Sequence, residues 1–175
     1  MRGLFKEFGF TEEESNQIRD VLFTADLYGI ESHGMQRMVR YHKGIEKGTI
    51  HPQAKPEVVF ETPISAVIDG HNGMGQLISV YAMKKAIEKA KKTGVGIVSV
   101  RESNHFGIAG YYAKMAVAWA VSVYFAAFPD EMLTYLQDGH KLDEFTYKKS
   151  LQKITESYRV DKEMKKIIKE MRQRG

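Results

Sequence analysis

The stretch AVIDGHNGMGQLISVYAMKKAIEKAKKTGVGIVSVRESNHFG, residues 66–107, decides the fold. Its opening residues are apolar and rich in β-branched side chains, which predicts a strand, and Asp69 to Gly75 form a glycine-rich turn. From Gln76 to Thr93 apolar residues recur at helical spacing, so we predict a long helix that ends in a left-handed cap at Gly94. The run Val95–Val100, apolar except at Ser99, is typical of a buried strand.

Helix and strand signals also precede this stretch. Thr11 and Glu14 have the spacing of a capping box, so we predict a helix that stops near Gly29. A second helical pattern covers residues 35–48, and Val58-Val59-Phe60 has the composition of a short strand.

The chain after the decisive stretch is apolar at first and then basic. Met115 to Phe128 is apolar except at Ser122 and is shorter than the roughly 20 residues of a membrane span, so we predict a core helix that runs into a strand at Val121–Phe128. Pro129 is suited to the first turn of a further helix. From Asp143 onward the pattern is that of one or two basic amphipathic helices.

These elements predict an α/β (α+β) fold. N-terminal helices, short strands and a long helix would pack on a small sheet, followed by C-terminal basic helices. We expect the segments 1–116, which holds the candidate motifs, 117–145, an apolar core segment, and 146–175, a basic helical tail.

Composition indicates an ordinary globular protein of 175 residues, with 43% apolar and 27% charged residues. The absence of cysteine excludes disulfides, thiolate metal sites and cysteine nucleophiles. Residues 146–175 carry a net charge of +6 and the other residues −2, so the basic character is confined to the tail. Such a tail is typical of solvated helices, and nucleic-acid binding through it is the alternative that this charge leaves open. No secretory signal is visible, so we expect a cytoplasmic protein without a membrane segment.

The glycine cluster invites comparison with nucleotide-binding loops. Gly70, Gly73 and Gly75 have the spacing G-x-x-G-x-G, which is the reverse of the dinucleotide fingerprint. We interpret these glycines as residues that allow positive φ in a turn from strand to helix. An anion at the backbone amides before Gln76 is the alternative.

Ser32-His33-Gly34 lies between two predicted helices. A lone histidine there usually has a structural role, but Arg37 shares its helical face and could offer a guanidinium fork to a carboxylate. Arg40 follows one turn later. A proton-transferring histidine beside an arginine clamp is what oxidation or reduction of a hydroxy acid requires.

A second candidate loop, Ser103-Asn104-His105-Phe106-Gly107, follows a predicted strand at the end where open α/β sheets place ligands. Asn104 and His105 could donate to an oxygen whose charge changes during a reaction. A turn stabilised by Asn and Ser side chains is the alternative. The remaining histidines lack metal-ligand spacing, so we expect no metal.

Taken in order, several motifs resemble one family. They are Ala25-Asp26-Leu27-Tyr28-Gly29-Ile30-Glu31-Ser32-His33-Gly34 with Arg37 and Arg40-Tyr41, then Gly48-x-Ile50-x-Pro52, Asp69-Gly70-x-x-Gly73-x-Gly75-Gln76, Gly94-x-Gly96-Ile97-Val98-x-Val100-Arg101, Ser103-Asn104-His105-Phe106-Gly107 and Gly110-Tyr111-Tyr112. From residue 10 to about 116 the chain resembles the malate/L-lactate dehydrogenases, NAD(P)-dependent oxidoreductases that lack the Rossmann fold.

The resemblance implies roles for residues that already stood out. His33 would be the acid/base on the substrate oxygen, and His105 with Asn104 the other half of the pocket. Arg37 would bind the substrate carboxylate, with Ser32 and Arg40 in support. The family implies NAD or NADP as cofactor and a small 2-hydroxy or 2-oxo carboxylate as substrate. Apart from the resemblance, we expect a homo-oligomer, such as a dimer. The resemblance points to no cofactor-binding residue in this sequence.

The resemblance ends after Met115-Ala116, where the family continues into a large nicotinamide-binding region that is not found in this sequence. Residues 121–130 faintly resemble a strand near the family's C-terminal end, so we expect a member that lacks the middle of the family sequence. Two hypotheses follow. The chain is a dehydrogenase of this family, or it is a non-catalytic module that pairs with itself or with a complete member.

Overall fold

The structure is a computed structural model that describes residues 2–174. Met1 and Gly175, the ends of the first and last predicted segments, lie outside the described residues. Contacts divide the chain into two compact units, with unit 1 ending at Tyr112 and unit 2 beginning at Ala113.

Helices dominate both units, and the strands belong to unit 1. The helices are α1 (Arg2–Glu7), α2 (Glu12–Leu27), α3 (Met38–Glu46), α4 (Gly75–Thr93), α5 (Ala109–Ala127), α6 (Pro129–Thr134), α7 (Glu144–Glu156) and α8 (Lys162–Arg174). The strands are β1 (Glu57–Glu61), β2 (Ser65–Gly73) and β3 (Ile97–Ser103). Two 3₁₀ turns, Glu31–His33 and Met35–Arg37, connect α2 to α3.

Helix α2 begins as the sequence predicts. The Thr11 hydroxyl accepts from the Glu14 amide at 3.2 Å, and the Glu14 carboxylate accepts from the Thr11 amide at 2.9 Å, which confirms the capping box. Gly29 follows the helix with a φ of 69°. The apolar face of α2, which includes Ile18 and Leu22, is fully buried in the main core of unit 1.

The sheet has the order β1-β2-β3, with β1 antiparallel and β3 parallel to β2. Helix α4 covers one face of this sheet, where Ala66 and Ile68 are buried. The predicted cap of α4 is confirmed, because Gly94 has a φ of 85° and its amide donates to the carbonyl of Ala90 at 2.8 Å.

The prediction that Val95–Val100 forms a buried strand was wrong. Strand β3 begins at Ile97, ends at Ser103 and has only β2 beside it among the described residues. Ile97 faces away from α4 and is 60% exposed. A largely apolar run predicts cover on both faces, but this strand is an edge strand that a helix covers on one face.

The glycine turn also differs from its interpretation. Positive φ falls on His71, at 48°, and Asn72, at 56°, and not on the glycines between Asp69 and Gln76. Gly75 is required for another reason, because a Cβ there would lie 2.2 Å from the carbonyl oxygen of Asn104. The turn needs glycine for a close approach of two chain segments.

Unit 2 is built from helices. The predicted strand at Val121–Phe128 was wrong, because helix α5 continues through this region to Ala127 and Pro129 then begins α6. No glycine or proline lies between Gly110 and Pro129, and the helix buries Phe125 completely in an apolar cluster. Helical packing therefore prevails over the β-propensity of these residues.

The basic tail forms the two amphipathic helices α7 and α8. Asp143 caps α7 by accepting from the Thr146 amide at 3.2 Å. The apolar residues Leu151, Ile154 and Ile168 are fully buried in unit 2, whereas the lysines of both helices are mostly exposed. Among residues 2–174, no helix has the length and apolarity to cross a membrane.

Candidate functional site

The Asp26 carboxylate packs against Gly34 and Met35 and so positions the turn that carries His33. A Cβ at Gly34 would lie 1.6 Å from the Asp26 carboxylate, so only glycine fits beside it. That carboxylate accepts from the Met35 amide at 2.9 Å, which fixes the two 3₁₀ turns against α2. The Ser32 hydroxyl lies 2.9 Å from Nδ1 of the His33 ring.

Asn104 holds the loop that carries His105. Its side-chain amide nitrogen lies 3.2 Å from the carbonyl oxygen of Thr49, 2.9 Å from that of Asn72 and 3.1 Å from that of Gly73. Its hydrogens are directed at the backbone of this unit, so this amide group anchors the loop between β3 and α5.

The structure brings the two predicted histidines together. The ring centroids of His33 and His105 lie 5.2 Å apart, with an angle of 34° between the ring planes. The residues are far apart in sequence, and each ring is half-buried. Two imidazoles at this distance can contact one small ligand.

Tyr41 contacts His105, and Gln76 contacts Tyr41 in turn, although neither was assigned a role from the sequence. The Tyr41 hydroxyl lies 2.8 Å from Nδ1 of His105, and the side-chain amide of Gln76 donates to this hydroxyl at 2.7 Å. Both side chains are fully buried. One signal pointed to Tyr41, which lies four positions after Arg37 and therefore on the same helical side. Gln76 ends one of the family motifs, but nothing in the sequence indicated its contact with Tyr41.

Burial and nearby cations set the protonation of this cluster. Burial lowers the pKa of His105 below its usual value, and the positive charges of Arg37, His33 and Arg40 lower it further. Burial raises the pKa of Tyr41. His105 Nε2 is buried and has no hydrogen-bond partner in this structure.

The predicted carboxylate binders lie at an open cavity of about 450 Å³. Its lining residues are Ser32, Gln36, Arg37, Val39, Arg40 and Lys43. Arg37 also donates through Nε to the carbonyl oxygen of Ser32, which leaves the terminal guanidinium nitrogens for other partners. Three of the lining side chains are cationic, so the cavity suits an anion. The His33 and His105 rings do not line it.

Within residues 2–174, no three histidine or carboxylate side chains are placed to hold a metal ion.

Comparison with known proteins then decides the family. The profile of the malate/L-lactate dehydrogenases matches residues 1–126, which is more than half of the chain. The chain belongs to the malate/L-lactate dehydrogenase family. A malate dehydrogenase from Pyrococcus abyssi is 53% identical over 110 residues, which are 63% of this chain and 30% of that protein.

Other members agree in sequence and in fold. The L-sulfolactate dehydrogenase of Methanocaldococcus jannaschii is 46% identical over 114 residues, 65% of this chain and 33% of that enzyme. The solved malate dehydrogenase of Pyrococcus horikoshii superposes with a TM-score of 0.63 at 50% identity, over 65% of this chain and 32% of that one. The chain therefore spans about a third of the length of these family members.

Proposed function

We propose that this chain carries the substrate-side chemistry of an NAD(P)-dependent dehydrogenase that acts on a small 2-hydroxy or 2-oxo carboxylate. The observation that supports the proposal most is the pair of imidazoles, His33 and His105, whose ring centroids lie 5.2 Å apart. The positive charge of Arg37 acts on the His105 ring of this pair. Family membership agrees with it, since malate and sulfolactate dehydrogenases are among the relatives.

The proposed chemistry is a proton transfer at the substrate oxygen. In the reductive direction, one protonated imidazole gives its proton to the oxygen of the 2-oxo acid, which becomes the hydroxyl of the product. The family resemblance implies that His33 supplies this proton. His105, whose buried Nε2 has no hydrogen-bond partner, is the alternative proton donor in this proposal.

Arg37 holds the substrate carboxylate in this proposal, with Arg40 and Ser32 beside it. A guanidinium offers parallel N–H donors that match the two oxygens of a carboxylate. Both arginines line the same cavity as Lys43, so a ligand with a second anionic group also finds a cation there.

The family implies NAD or NADP, which supplies the hydride when bound. The glycine turn before α4 does not fit a dinucleotide, because a Cβ at Gly75 would lie 2.2 Å from the Asn104 carbonyl oxygen and 2.4 Å from that of His105. The chain's own backbone therefore covers this helix start. We therefore propose residues that contact the oxygen and the carboxylate of the substrate, and we assign no residue to the cofactor.

Titration of the purified chain with L-malate, followed through the NMR signals of the two histidine rings, tests the proposal. We expect both rings to respond. Arg37→Met should weaken binding about tenfold or more, because a charge-assisted hydrogen bond contributes about 1.5–3 kcal/mol. Arg19→Met, on α2, is the matched control and should leave the affinity unchanged.

A second arm adds NADH or NADPH with a panel of 2-oxo acids. Oxidation of the reduced nicotinamide would extend the proposal to complete catalysis by this chain. Acid binding without oxidation supports the substrate-side role alone. If L-malate shifts neither histidine, or if both arginine variants bind it as the unaltered chain does, the proposal is wrong.

The exposed sheet face favours a second candidate function, that of a module that pairs with another chain. Phe60, Val67 and Ile97 lie on the face turned away from α4, and Phe60 and Ile97 are 58% and 60% exposed. Exposed apolar side chains on one face are typical of interaction sites. The homo-oligomer that we expect would be one such assembly.

Light scattering during size-exclusion chromatography tests this candidate. We expect a dimer that dissociates in the Phe60→Ser/Ile97→Ser double variant, with Val39→Ser on α3 as a control at an exposed apolar residue outside the sheet. A monomer at every concentration would contradict self-association.

A further inference from the structure

The two nitrogens of the His105 ring have different surroundings. Nδ1 contacts the Tyr41 hydroxyl at 2.8 Å, and Nε2 is buried without a partner. Since a neutral imidazole carries a single N–H, the bond at Nδ1 determines what Nε2 offers to a ligand.

Gln76 determines the direction of that bond. Its side-chain N–H donates to the Tyr41 oxygen at 2.7 Å, so the hydroxyl proton points to Nδ1 of His105. Nδ1 then accepts, and the ring proton lies on Nε2. The three side chains form a relay in which each hydrogen bond fixes the next.

We propose that Tyr41 and Gln76 are positioning residues that determine which nitrogen of His105 carries the proton. The inference rests on the proposed function in one respect only, namely that the ligand atom which contacts Nε2 is a substrate oxygen. Neither residue contacts that oxygen, and both act through the imidazole.

The relay can also take the opposite direction. The Gln76 side-chain oxygen is buried without a hydrogen-bond partner in this structure. Rotation of the carboxamide would turn this oxygen to Tyr41, so that the hydroxyl donates to Gln76 and accepts from Nδ1–H of His105. In this direction a doubly protonated ring can give its Nε2 proton to a substrate oxygen and remain neutral with its proton on Nδ1.

The surrounding charges favour the neutral ring. His33 faces His105 from the first 3₁₀ turn, and Arg37 and Arg40 act on it from the second turn and α3. The relay itself adds only uncharged side chains, Tyr41 on α3, which contacts His105, and Gln76 on α4, which contacts Tyr41. All three charged or titratable neighbours disfavour a positive ring, so the ligand-free relay holds the neutral state.

NMR detection of the ring nitrogens tests the inference in the full chain without any enzymatic activity. In the unaltered protein we expect the neutral His105 ring to carry its proton on Nε2, with Nδ1 accepting a hydrogen bond. Tyr41→Phe keeps the buried ring and removes the hydroxyl, so the Nδ1 signal should move to that of a nitrogen without a hydrogen bond. Tyr81→Phe on α4, outside the cluster, should leave the His105 signals unchanged.

Gln76→Glu gives the decisive result, and it does not depend on how well Tyr41→Phe folds. An ionised carboxylate only accepts, so Tyr41 must donate to it and accept from His105. In this variant, measured between neutral and alkaline pH, the ring proton should therefore lie on Nδ1 and not on Nε2 as in the unaltered protein. A loosened fold cannot produce this change, because an imidazole in water prefers its proton on Nε2.

Two results would overturn the inference: a proton on Nδ1 in the unaltered protein, or one that stays on Nε2 of His105 after Gln76→Glu at every pH. Either leaves the proposed function intact, because L-malate binding is measured separately. Conversely, a chain that binds no L-malate can still show the proton shift.

Discussion

Units 1 and 2 differ in how regular their backbones are. Among residues 2–174, the non-glycine residues with left-handed φ all lie in unit 1, at His71, Asn72 and Glu102. Such conformations cost about 1–3 kcal/mol each and persist only where the surroundings impose them. The Asn72 carbonyl accepts a hydrogen bond from the side chain of Asn104, and Glu102 lies two residues before Asn104 in the sequence. Irregular backbone in this molecule is therefore concentrated beside the candidate site.

Both units have an apolar core, and unit 1 adds long-range polar contacts at the candidate site. In unit 1, polar contacts such as Tyr41 to His105 join residues 64 positions apart. In unit 2, an apolar cluster that includes Phe125, Leu151 and Ile154 joins the helices. The difference indicates that the site in unit 1 and the core of unit 2 can be altered separately.

The largest expected effect tests that separation in unit 2. Ile154 is fully buried, so Ile154→Ala should destabilise unit 2 by about 2–5 kcal/mol through lost burial and a cavity. Amide hydrogen exchange should show faster opening of α7 and α8, with unchanged signals from the His33 and His105 rings. Ile64→Ala, at a residue 44% exposed, is the control. Loss of the histidine signals would mean that the units do not behave separately.

The next effect concerns the close approach at the site. Gly75→Ala would bring a Cβ to 2.2 Å from the Asn104 carbonyl oxygen, and such overpacking costs about 1–3 kcal/mol or more. We expect a lower melting temperature and displaced His105 signals. Gly110→Ala, where no atom lies within 4 Å of the new Cβ, should instead stabilise α5 slightly. Equal effects of both substitutions on the melting temperature would contradict this explanation.

A smaller effect is expected at the start of α2. Thr11→Ala removes the capping box and should lower the free energy of unfolding of unit 1 by about 1 kcal/mol. Urea unfolding followed by circular dichroism measures it. Thr134→Ala, at an exposed helical residue that caps nothing, is the comparison in unit 2 and should be close to neutral. A larger loss from Thr134→Ala would contradict the assignment of the cap.

The smallest expected effect is a pH dependence that involves a single proton. The pKa of His105 is lower in the folded chain than its usual value of 6.5, so the unfolded chain binds more protons on acidification. The contribution of His105 to stability is therefore complete above pH 6.5 and is lost as the pH falls through the lowered pKa.

Urea unfolding at several pH values measures this contribution. Stability should fall less on acidification in His105→Gln than in the unaltered chain. Gln152→Ala, at a residue of unit 2 without a titratable side chain, should keep the original slope. Identical slopes for the unaltered chain and His105→Gln would contradict the prediction.

Local signals in the sequence predicted the helices with defined caps. Thr11 with Glu14, Gly94 and Pro129 each act within a few residues, and the structure has helix boundaries at all three. The errors at Val95–Val100 and Val121–Phe128 have a common cause. Apolar content shows that a segment packs against something, but not whether the partner is a sheet neighbour or a helix.

The candidate site was predictable only in part. Motifs marked His33 and His105, but their spacing depends on how the loop after β3 meets the 3₁₀ turns. Gln76 is more instructive, because its contact with Tyr41 joins residues 35 positions apart. No pattern along the chain reports such a contact, since it arises only when α3 and α4 pack together.

The anchor at Asn104 makes this loop sensitive to chemical ageing. Hydrolysis of its side-chain amide would leave an aspartate of nearly the same size whose oxygens face the three carbonyl oxygens that the amide nitrogen now contacts. Attraction would become repulsion in all three places at once. A stored sample would then lose the arrangement of its histidine pair while most of its helices remained intact.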